Sequence, residues 1–173
     1  MFPSVLAVVW FIMPAWVANS AAIDVSGLPV LKNYSAPVDF GLKWRGKRIF
    51  GDGKTWRGLI AGVLAATACG MVQQQYPIHG YHLMTPALAS MMGLGALVGD
   101  MVESFIKRQS GLARGHPLFL MDHLDYIFGA MFFAWTMVPV SFEYLIMSCF
   151  ITLPVHFIAN IVAWIVKLKK KPW

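Results

Sequence analysis

Five long apolar runs, separated by short polar segments, make up most of this chain. They cover residues 2–23, 58–76, 86–103, 118–138 and 142–166. A helix of about 20 apolar residues crosses the hydrocarbon core of a bilayer, where a helix satisfies its own backbone hydrogen bonds. The pattern therefore predicts an all-α integral membrane protein, with one membrane domain over residues 1–173 that forms a bundle of about five transmembrane helices.

The composition supports a membrane protein. Of the 173 residues, 58% are hydrophobic and 13% are charged, and the mean hydropathy is +0.61. A soluble domain carries about 25% charged residues, so a water-soluble fold does not explain this chain. Cys69 and Cys149 both lie within apolar runs, which indicates buried thiols rather than a disulfide or a zinc site.

The basic residues are confined to alternate polar segments, which predicts the orientation of the chain. Segments 24–57 and 104–117 contain seven and three Lys and Arg residues, and the C-terminal tail contains the other four of the 14. Loops rich in Lys and Arg stay on the cytoplasmic side. We therefore predict a multi-pass protein of the cell membrane with two polar cytoplasmic loops, the N-terminus outside and the C-terminus in the cytoplasm.

The net charge of +6 also fits a membrane protein. Basic residues beside apolar spans interact with anionic membrane lipids, and the sequence contains no nucleic-acid-binding motif, so we expect no nucleic-acid partner. The first apolar run is not preceded by Lys or Arg, unlike a signal peptide. We expect residues 2–23 to be a retained span.

Six of the eight acidic residues fall on the predicted cytoplasmic side. Asp100 and Glu103 are one helical turn apart, and Asp122 and Asp125 have the same spacing. Carboxylates at the entrance of a membrane helix are costly unless their charge is compensated. A divalent cation such as Mg²⁺, which prefers oxygen ligands, would compensate it, and so would salt bridges to Lys107 and Arg108. The spacing alone leaves both interpretations open.

Basic residues near these acids are candidates for binding phosphate groups, because Mg²⁺ is often held by carboxylates together with substrate phosphates. These residues are Lys54, Arg57, Lys107 and Arg108. The segment Gly53-Lys54-Thr55 is similar to the end of a P-loop, but Arg48 stands where that motif needs a glycine. We therefore exclude a P-loop nucleotide hydrolase.

Two groups of motifs occupy the polar segments. The first runs from Gly51 to Gly58, as Gly-Asp-Gly-Lys-Thr-Trp-Arg-Gly, and follows Asn33, Pro37, Asp39 and Gly41. The second contains Gly99-Asp100, Ser104 to Arg108, Gly111, Arg114-Gly115 and Asp122-His123-Leu124-Asp125. Together they resemble the signatures of archaeal CDP-archaeol synthases. The end of the second group is also similar to phosphatidate cytidylyltransferases, in which an arginine commonly stands at the position of His123.

The resemblance implies a reaction. A lipid phosphate, expected to be the isoprenoid ether lipid 2,3-di-O-geranylgeranylglyceryl phosphate, attacks the α-phosphorus of CTP and gives CDP-archaeol and pyrophosphate, with Mg²⁺ as cofactor. The resemblance further implies that Asp100, Asp122 and Asp125 bind the metal and, with Lys107, form the catalytic set. The expected nucleotide- and phosphate-binding residues are Lys54, Thr55, Arg57, Ser104, Lys107, Arg108, Asn33 and Asp39.

Other functions fit the sequence less well. A phosphatidate cytidylyltransferase acting on diacyl lipid is less favoured because of His123. A small ion- or proton-coupled transporter would carry charge near the middle of its spans, whereas here the acids lie at one end. A non-enzymatic scaffold protein would not explain why Asp, Lys, Arg and Gly residues are concentrated in these motifs. The spacings Gly58–Gly62 and Gly95–Gly99 indicate close helix packing, which we expect within one bundle; packing between two copies, in a homodimer, is the alternative.

Overall fold

The structure is a computed structural model that describes residues 3–28, 35–77, 84–112 and 121–165. It contains five α-helices, which confirms the predicted helical fold. They are α1 Val5–Gly27, α2 Trp56–Gln75, α3 Pro86–Gln109, α4 Met121–Trp135 and α5 Phe142–Ile165. Between α1 and α2 lies a small antiparallel hairpin that the sequence analysis did not predict, formed by β1 Lys43–Trp44 and β2 Lys47–Arg48.

Two of the helices have the length and apolar character needed to cross a membrane. These stretches are Val5–Ser26 in α1 and Pro86–Gln109 in α3, and the apolar part of α5, Phe142–Val155, is shorter. The start of the predicted fourth span, at residue 118, lies outside the described residues. The described helices thus establish an apolar helical bundle, and the count of five spans stays a prediction.

Helix α3 continues past the predicted end of its span at residue 103. It ends at Gln109, followed by Gly111 with a φ of 79°. The N–H groups of Gly111 and Leu112 donate to the carbonyl oxygens of Arg108 and Lys107, at 3.1 and 3.0 Å. This closure is a common helix end with glycine in the left-handed conformation. The acidic and basic positions from Asp100 to Lys107 therefore all lie on one rigid helix.

The predicted GxxxG spacings are used for packing within the chain. A Cβ added at Gly62 would lie 2.7 Å from the carbonyl oxygen of Ala18 in α1, and one at Gly95 would lie 2.8 Å from the side chain of Phe133 in α4. Small residues let helix backbones approach closely. The glycines thus join α2 to α1 and α3 to α4, as the favoured interpretation expected, and they give no support to a homodimer.

A side chain of α2 satisfies a backbone group that a proline leaves without its helical donor. Pro14 lies inside α1 and has no N–H to donate to the carbonyl oxygen of Trp10, four residues earlier. Gln73 of α2 is buried, and its Nε2 donates to that oxygen at 2.6 Å. The contact fixes α1 against α2 at the end of α2 that lies away from Thr55, its N-cap.

Candidate active site

Three carboxylates converge where α3 faces α4. Asp100 and Glu103 lie one turn apart on α3, and Asp125 lies on α4; carboxylate oxygens from the three residues are within 4.8 Å of one another. Gly99 makes this approach possible, because a Cβ at that position would overlap the backbone carbonyl of Asp125. A glycine beside Asp100 thus sets the distance between the acids of two helices.

Two lysines balance part of this negative charge. Lys54 Nζ lies 2.5 Å from Asp100 Oδ2, and Lys107 Nζ lies 2.5 Å from Glu103 Oε1. Glu103 is 5% exposed, so its charge is largely withdrawn from water and is costly without a positive partner. Three oxygen donors held this close together suit a hard divalent cation such as Mg²⁺.

Asp122 lies beside Lys107 rather than in the group of three carboxylates. Its Oδ1 is 2.7 Å from Lys107 Nζ, so that Lys107 bridges Glu103 on α3 and Asp122 on α4. The sequence resemblance implied Asp122 together with Asp100 and Asp125. In the structure, Glu103 occupies that third position.

The carboxylates open into a polar cavity of about 640 Å³. Its walls come from the end of α1, the segment before α2, and the facing sides of α3 and α4. The charged and polar side chains in the lining are Ser26, Arg48, Asp52, Lys54, Asp100, Glu103, Ser104, Lys107, Arg108, Asp122 and Asp125. Arg108 forms no ion pair with any residue in the described part of the chain. Its guanidinium is therefore available to an anion in the cavity.

A smaller, mainly apolar cleft adjoins the polar cavity. It lies between α1, α2 and α3 and includes Ala22, Leu59 and Leu97 in its lining, together with Lys54 and Asp100. The ion pair of Lys54 with Asp100 belongs to both spaces. A polar group in one space and an apolar group in the other can therefore both approach this pair.

The buried carboxylate of Asp39 organises the segment that forms one wall of the cavity. Its oxygens accept hydrogen bonds from Arg48 Nη2 at 2.7 Å and from the backbone N–H groups of Gly41, Phe50 and Gly51 at 2.9 to 3.0 Å. Burial alone would raise the pKa of Asp39, but these hydrogen bonds outweigh it and hold the pKa well below its usual range. Asp39 thus lies behind the cavity wall and supports it.

Thr55 and Arg57 connect the start of α2 to the end of α1. Thr55 Oγ1 accepts from the N–H of Gly58, as the N-cap of α2, and lies 3.0 Å from Ser26 Oγ. Arg57 Nη2 donates to the carbonyl oxygen of Ser26 at 2.5 Å. Thr55 borders the apolar cleft, and neither residue is part of the polar cavity lining.

A family model described as "CarS-like: CDP-archaeol synthase" matches residues 1–173 of the chain. This match covers the whole sequence and agrees with the motifs that line the cavity. The chain belongs to the CDP-archaeol synthase family. The resemblance inferred from the sequence is thereby confirmed, and with it the prediction that the chain is an enzyme.

Relatives from several archaea share the name CDP-archaeol synthase. The one from Pyrococcus abyssi is 37% identical over 167 residues, which is 95% of each chain, and the one from Thermococcus kodakarensis is 39% identical over 95% of this chain and 94% of its own. The relative from Methanocaldococcus jannaschii is 36% identical over 96% of both chains. The alignments therefore extend across the helices as well as the motifs.

A solved structure supports the fold of this family member. It superposes with a TM-score of 0.77 at 33% identity and covers 91% of this chain and 95% of its own. That structure is described as giving insight into an intramembrane enzyme for archaeal membrane lipid biosynthesis. The chain is thus similar to an enzyme that works within a membrane, as the apolar runs predicted.

The structure brings together most of the residues that sequence analysis selected for the CDP-archaeol synthase site. Those in the polar cavity lining are Lys54, Asp100, Ser104, Lys107, Arg108, Asp122 and Asp125. Asp39, Thr55 and Arg57 lie behind or beside it, and Asn33 lies outside the described residues. Arg48, to which the sequence assigned no binding role, also lines the cavity and forms an ion pair with Asp52 at 2.6 Å.

Proposed function

We propose that the chain carries out the reaction of its family. It transfers cytidylate from CTP to an isoprenoid ether lipid phosphate, the unsaturated archaeol phosphate, and releases CDP-archaeol and pyrophosphate for membrane phospholipid biosynthesis. The observation that carries the proposal is the convergence of Asp100, Glu103 and Asp125 beside basic side chains in one cavity. Nucleotidyl transfer needs mainly positioning and charge neutralisation, and this arrangement supplies both.

Asp100 and Asp125 are proposed to hold Mg²⁺, with Glu103 as the third carboxylate. The oxygen-only donor set fits that ion, and the close spacing of three negative charges favours cation binding. When bound, Mg²⁺ polarises a phosphate group and neutralises developing charge. Asp122, a metal ligand by the sequence resemblance, is instead proposed to hold Lys107 in position through their 2.7 Å ion pair.

The basic side chains are proposed to hold the phosphates of CTP. Arg108 and Lys107 lie one residue apart on α3 and both line the cavity, so that they can neutralise the charge on the departing pyrophosphate. Lys54 belongs to both the polar cavity and the apolar cleft. This position suits a side chain that draws the lipid phosphate towards the α-phosphorus of CTP.

The lipid phosphate itself is the proposed nucleophile, so that no side chain has to form a covalent intermediate. Its oxygen forms the new bond to the α-phosphorus of CTP, and the bond from that phosphorus to pyrophosphate breaks. Ser104 lines the cavity and is proposed to contact phosphate or metal. Asp39 is proposed to act by supporting the segment from Arg48 to Lys54.

The proposed orientation in the cell membrane follows the distribution of basic residues. Five spans, with the N-terminus outside and the C-terminus in the cytoplasm, place all 14 Lys and Arg residues on the side where CTP is available. Labelling of single cysteines from either side of sealed vesicles tests this topology. Access to the segment between α1 and α2 from the outside would contradict it.

The function is tested with purified protein, labelled CTP and Mg²⁺. Archaeol phosphate and phosphatidic acid are offered in separate reactions, and we expect faster formation of the CDP-lipid from the ether lipid. Asp125→Asn should lower kcat by about 100-fold or more, because several kcal/mol of charge stabilisation is lost. Asp24→Asn, on the exposed surface of α1, is the matched control. If neither lipid gave CDP-lipid, the proposal would be refuted. Faster reaction with phosphatidic acid than with archaeol phosphate would refute the lipid assignment.

A further inference from the structure

The segment that contains the β1–β2 hairpin presents large apolar side chains outside the helical bundle. Phe40, Leu42 and Trp44 are 71%, 61% and 55% exposed. Lys43 and Arg45, which alternate with them along the chain, are exposed as well. Several exposed apolar side chains close together in a polar segment mark a surface that contacts something other than bulk water.

Phe40 is the first central residue of a tight turn, which the N–H of Leu42 closes by donating to the carbonyl oxygen of Asp39 at 2.7 Å. Its φ is 47°, a conformation that glycine and asparagine adopt more readily than an aromatic residue. Its ring has one described aromatic neighbour, Trp56, with the ring centroids 6.1 Å apart. The turn thus presents the exposed ring of Phe40 beside the first residue of α2.

The hairpin lies at the level of the helix ends. Lys47 Nζ donates to the carbonyl oxygen of Gln109, the last residue of α3, at 2.6 Å, and Gln109 Nε2 donates to the carbonyl oxygen of Arg48 at 3.2 Å. Phe40 lies next to Trp56, the first residue of α2. The ends of a spanning helix lie at the headgroup level of a bilayer, where aromatic and basic side chains concentrate. The hairpin is therefore held at that level.

A groove between the hairpin and α3 combines positive charge with aromatic walls. Its volume is about 440 Å³, and it is lined by Trp44, Arg45, Lys47, Phe105 and Gln109. All eight acidic residues lie in the described part of the chain. None of them is paired with a basic residue of this groove. The groove thus carries two positive charges without a negative partner there.

The groove also continues the apolar outer surface of α3. Val102 and Ile106, one turn apart on that helix, are 52% and 38% exposed, and Phe105 beside them lines the groove. An apolar helix face that ends in aromatic and basic residues matches the passage from lipid chains to headgroups. This continuity distinguishes a bilayer from a soluble anionic partner.

We propose that the hairpin docks onto the membrane surface and that its groove binds the headgroup of an anionic phospholipid of the bilayer. Arg45 and Lys47 bind the lipid phosphate, and Trp44 inserts at the interface. This goes beyond the proposed reaction, since the bound lipid is a bilayer component rather than the substrate. The docking would hold the wall segment that follows the hairpin, from Arg48 to Lys54, in a fixed position against the membrane.

The depth of the hairpin in the membrane tests the proposal without relying on activity. The full chain, with Cys69 and Cys149 replaced by alanine, is reconstituted into vesicles of diphytanyl phosphocholine alone or in an equimolar mixture with diphytanyl phosphoglycerol. A nitroxide is attached to Leu42→Cys. The control label is at Asp52→Cys, whose side chain is 75% exposed at the cavity rim. We expect the label at position 42 to be accessible to oxygen and shielded from a water-soluble nickel reagent, most strongly in the anionic vesicles. Equal nickel accessibility at both positions would overturn the proposal.

Charge variants in the same label background separate the membrane from a soluble phosphate. Arg45→Gln combined with Lys47→Gln should reduce the preference for anionic vesicles by about fivefold for each charge removed, whereas Arg45→Lys combined with Lys47→Arg should retain it. An equal effect of both pairs would count against headgroup binding. Pyrophosphate added to the phosphocholine vesicles should leave the label unchanged. If it shields the label as anionic lipid does, the groove is a soluble-phosphate site and the proposal fails.

A third variant distinguishes docking from a general loss of structure. Phe40→Asn relieves the left-handed backbone, so the chain should unfold in detergent at the same or a higher temperature. The label at position 42 should nevertheless become more accessible to nickel in anionic vesicles. Unchanged depth in this stable variant would show that Phe40 does not contribute to docking and would contradict the placement of its ring at the membrane surface.

Discussion

The hydrogen bond from Gln73 to the carbonyl oxygen of Trp10 predicts that replacing Gln73 destabilises the chain when Pro14 is present but not when Pro14 is replaced by alanine. Gln73→Leu removes a 2.6 Å bond between α1 and α2. Because Pro14 has no N–H, the Trp10 oxygen then has no helical donor. Interhelical hydrogen bonds in membrane proteins contribute about 0.6 to 2 kcal/mol. We expect Gln73→Leu to lower the free energy of unfolding by about 1 kcal/mol.

The other atom of the same amide determines the result in the second background. Gln73 Oε1 is buried and accepts no hydrogen bond within the described part of the chain. In Pro14→Ala, the restored N–H of residue 14 donates to the Trp10 oxygen inside α1. The Gln73 side chain then contributes mainly a buried polar group, whose removal should be neutral or stabilising. Gln73→Leu should therefore stabilise the Pro14→Ala protein, or leave its stability unchanged.

The assay is a double-mutant cycle. The free energy of unfolding in mixed detergent micelles is measured for the wild type, both single variants and the double variant. Pro14→Ala also leaves a space where the buried proline was, but this cost is common to both Pro14→Ala proteins and cancels in the cycle. Gln74→Leu, at the exposed neighbouring position, controls for the added apolar surface. Equal loss of stability from Gln73→Leu in both backgrounds would refute the pairing of Pro14 with Gln73. Turnover of the folded single variant should remain near that of the wild type, because the contact is remote from the carboxylates.

Two further predictions concern the support of the cavity. Asp39→Asn should lower the free energy of unfolding by about 2 kcal/mol at neutral pH, because an ionised acceptor with four partners is lost. The pKa of Asp39 is lowered in the folded chain. The ionised carboxylate therefore stabilises the fold fully above the unfolded pKa of about 4, and this stabilisation declines as the pH falls below it. If the difference in free energy of unfolding between wild type and Asp39→Asn stayed constant from pH 7 to pH 3, this interpretation would be wrong. Gly99→Ala should force α3 away from Asp125, cost about 1 to 3 kcal/mol and weaken Mn²⁺ binding. Unchanged Mn²⁺ affinity in this variant would show that the helix separation does not set the site.

The sequence contained the main elements of the site but not their pairing. The spacing of Asp100, Glu103 and Lys107 placed them on one helix face, and the structure confirms that face. Which acid of α4 approaches Asp100 depends on how the two helices pack, and Gly99 sets that contact. Such a choice between Asp122 and Asp125, one turn apart, cannot be made from spacing within one helix.

The hairpin shows a different limit of the sequence. Each strand has two residues, too few to show the alternation typical of β-structure. The two residues between them, Arg45 and Gly46, have φ of 50° and 77°, as a tight hairpin turn requires. Asparagine or aspartate before the glycine would have signalled this turn, whereas arginine did not. The sequence therefore predicts only a polar loop for this segment.

Mn²⁺ binding to the variants, followed by electron paramagnetic resonance without lipid substrate, tests the carboxylate site independently of turnover. We expect Asp100→Asn and Asp125→Asn each to weaken binding by about 100-fold or more, since removing even an outer partner of a metal ligand costs about 10- to 100-fold. Glu103→Gln should weaken it more than Asp122→Asn does, because Glu103 belongs to the group of three carboxylates. Wild-type affinity in folded Asp100→Asn and Asp125→Asn proteins would contradict the claim that acids from α3 and α4 converge to hold the catalytic metal.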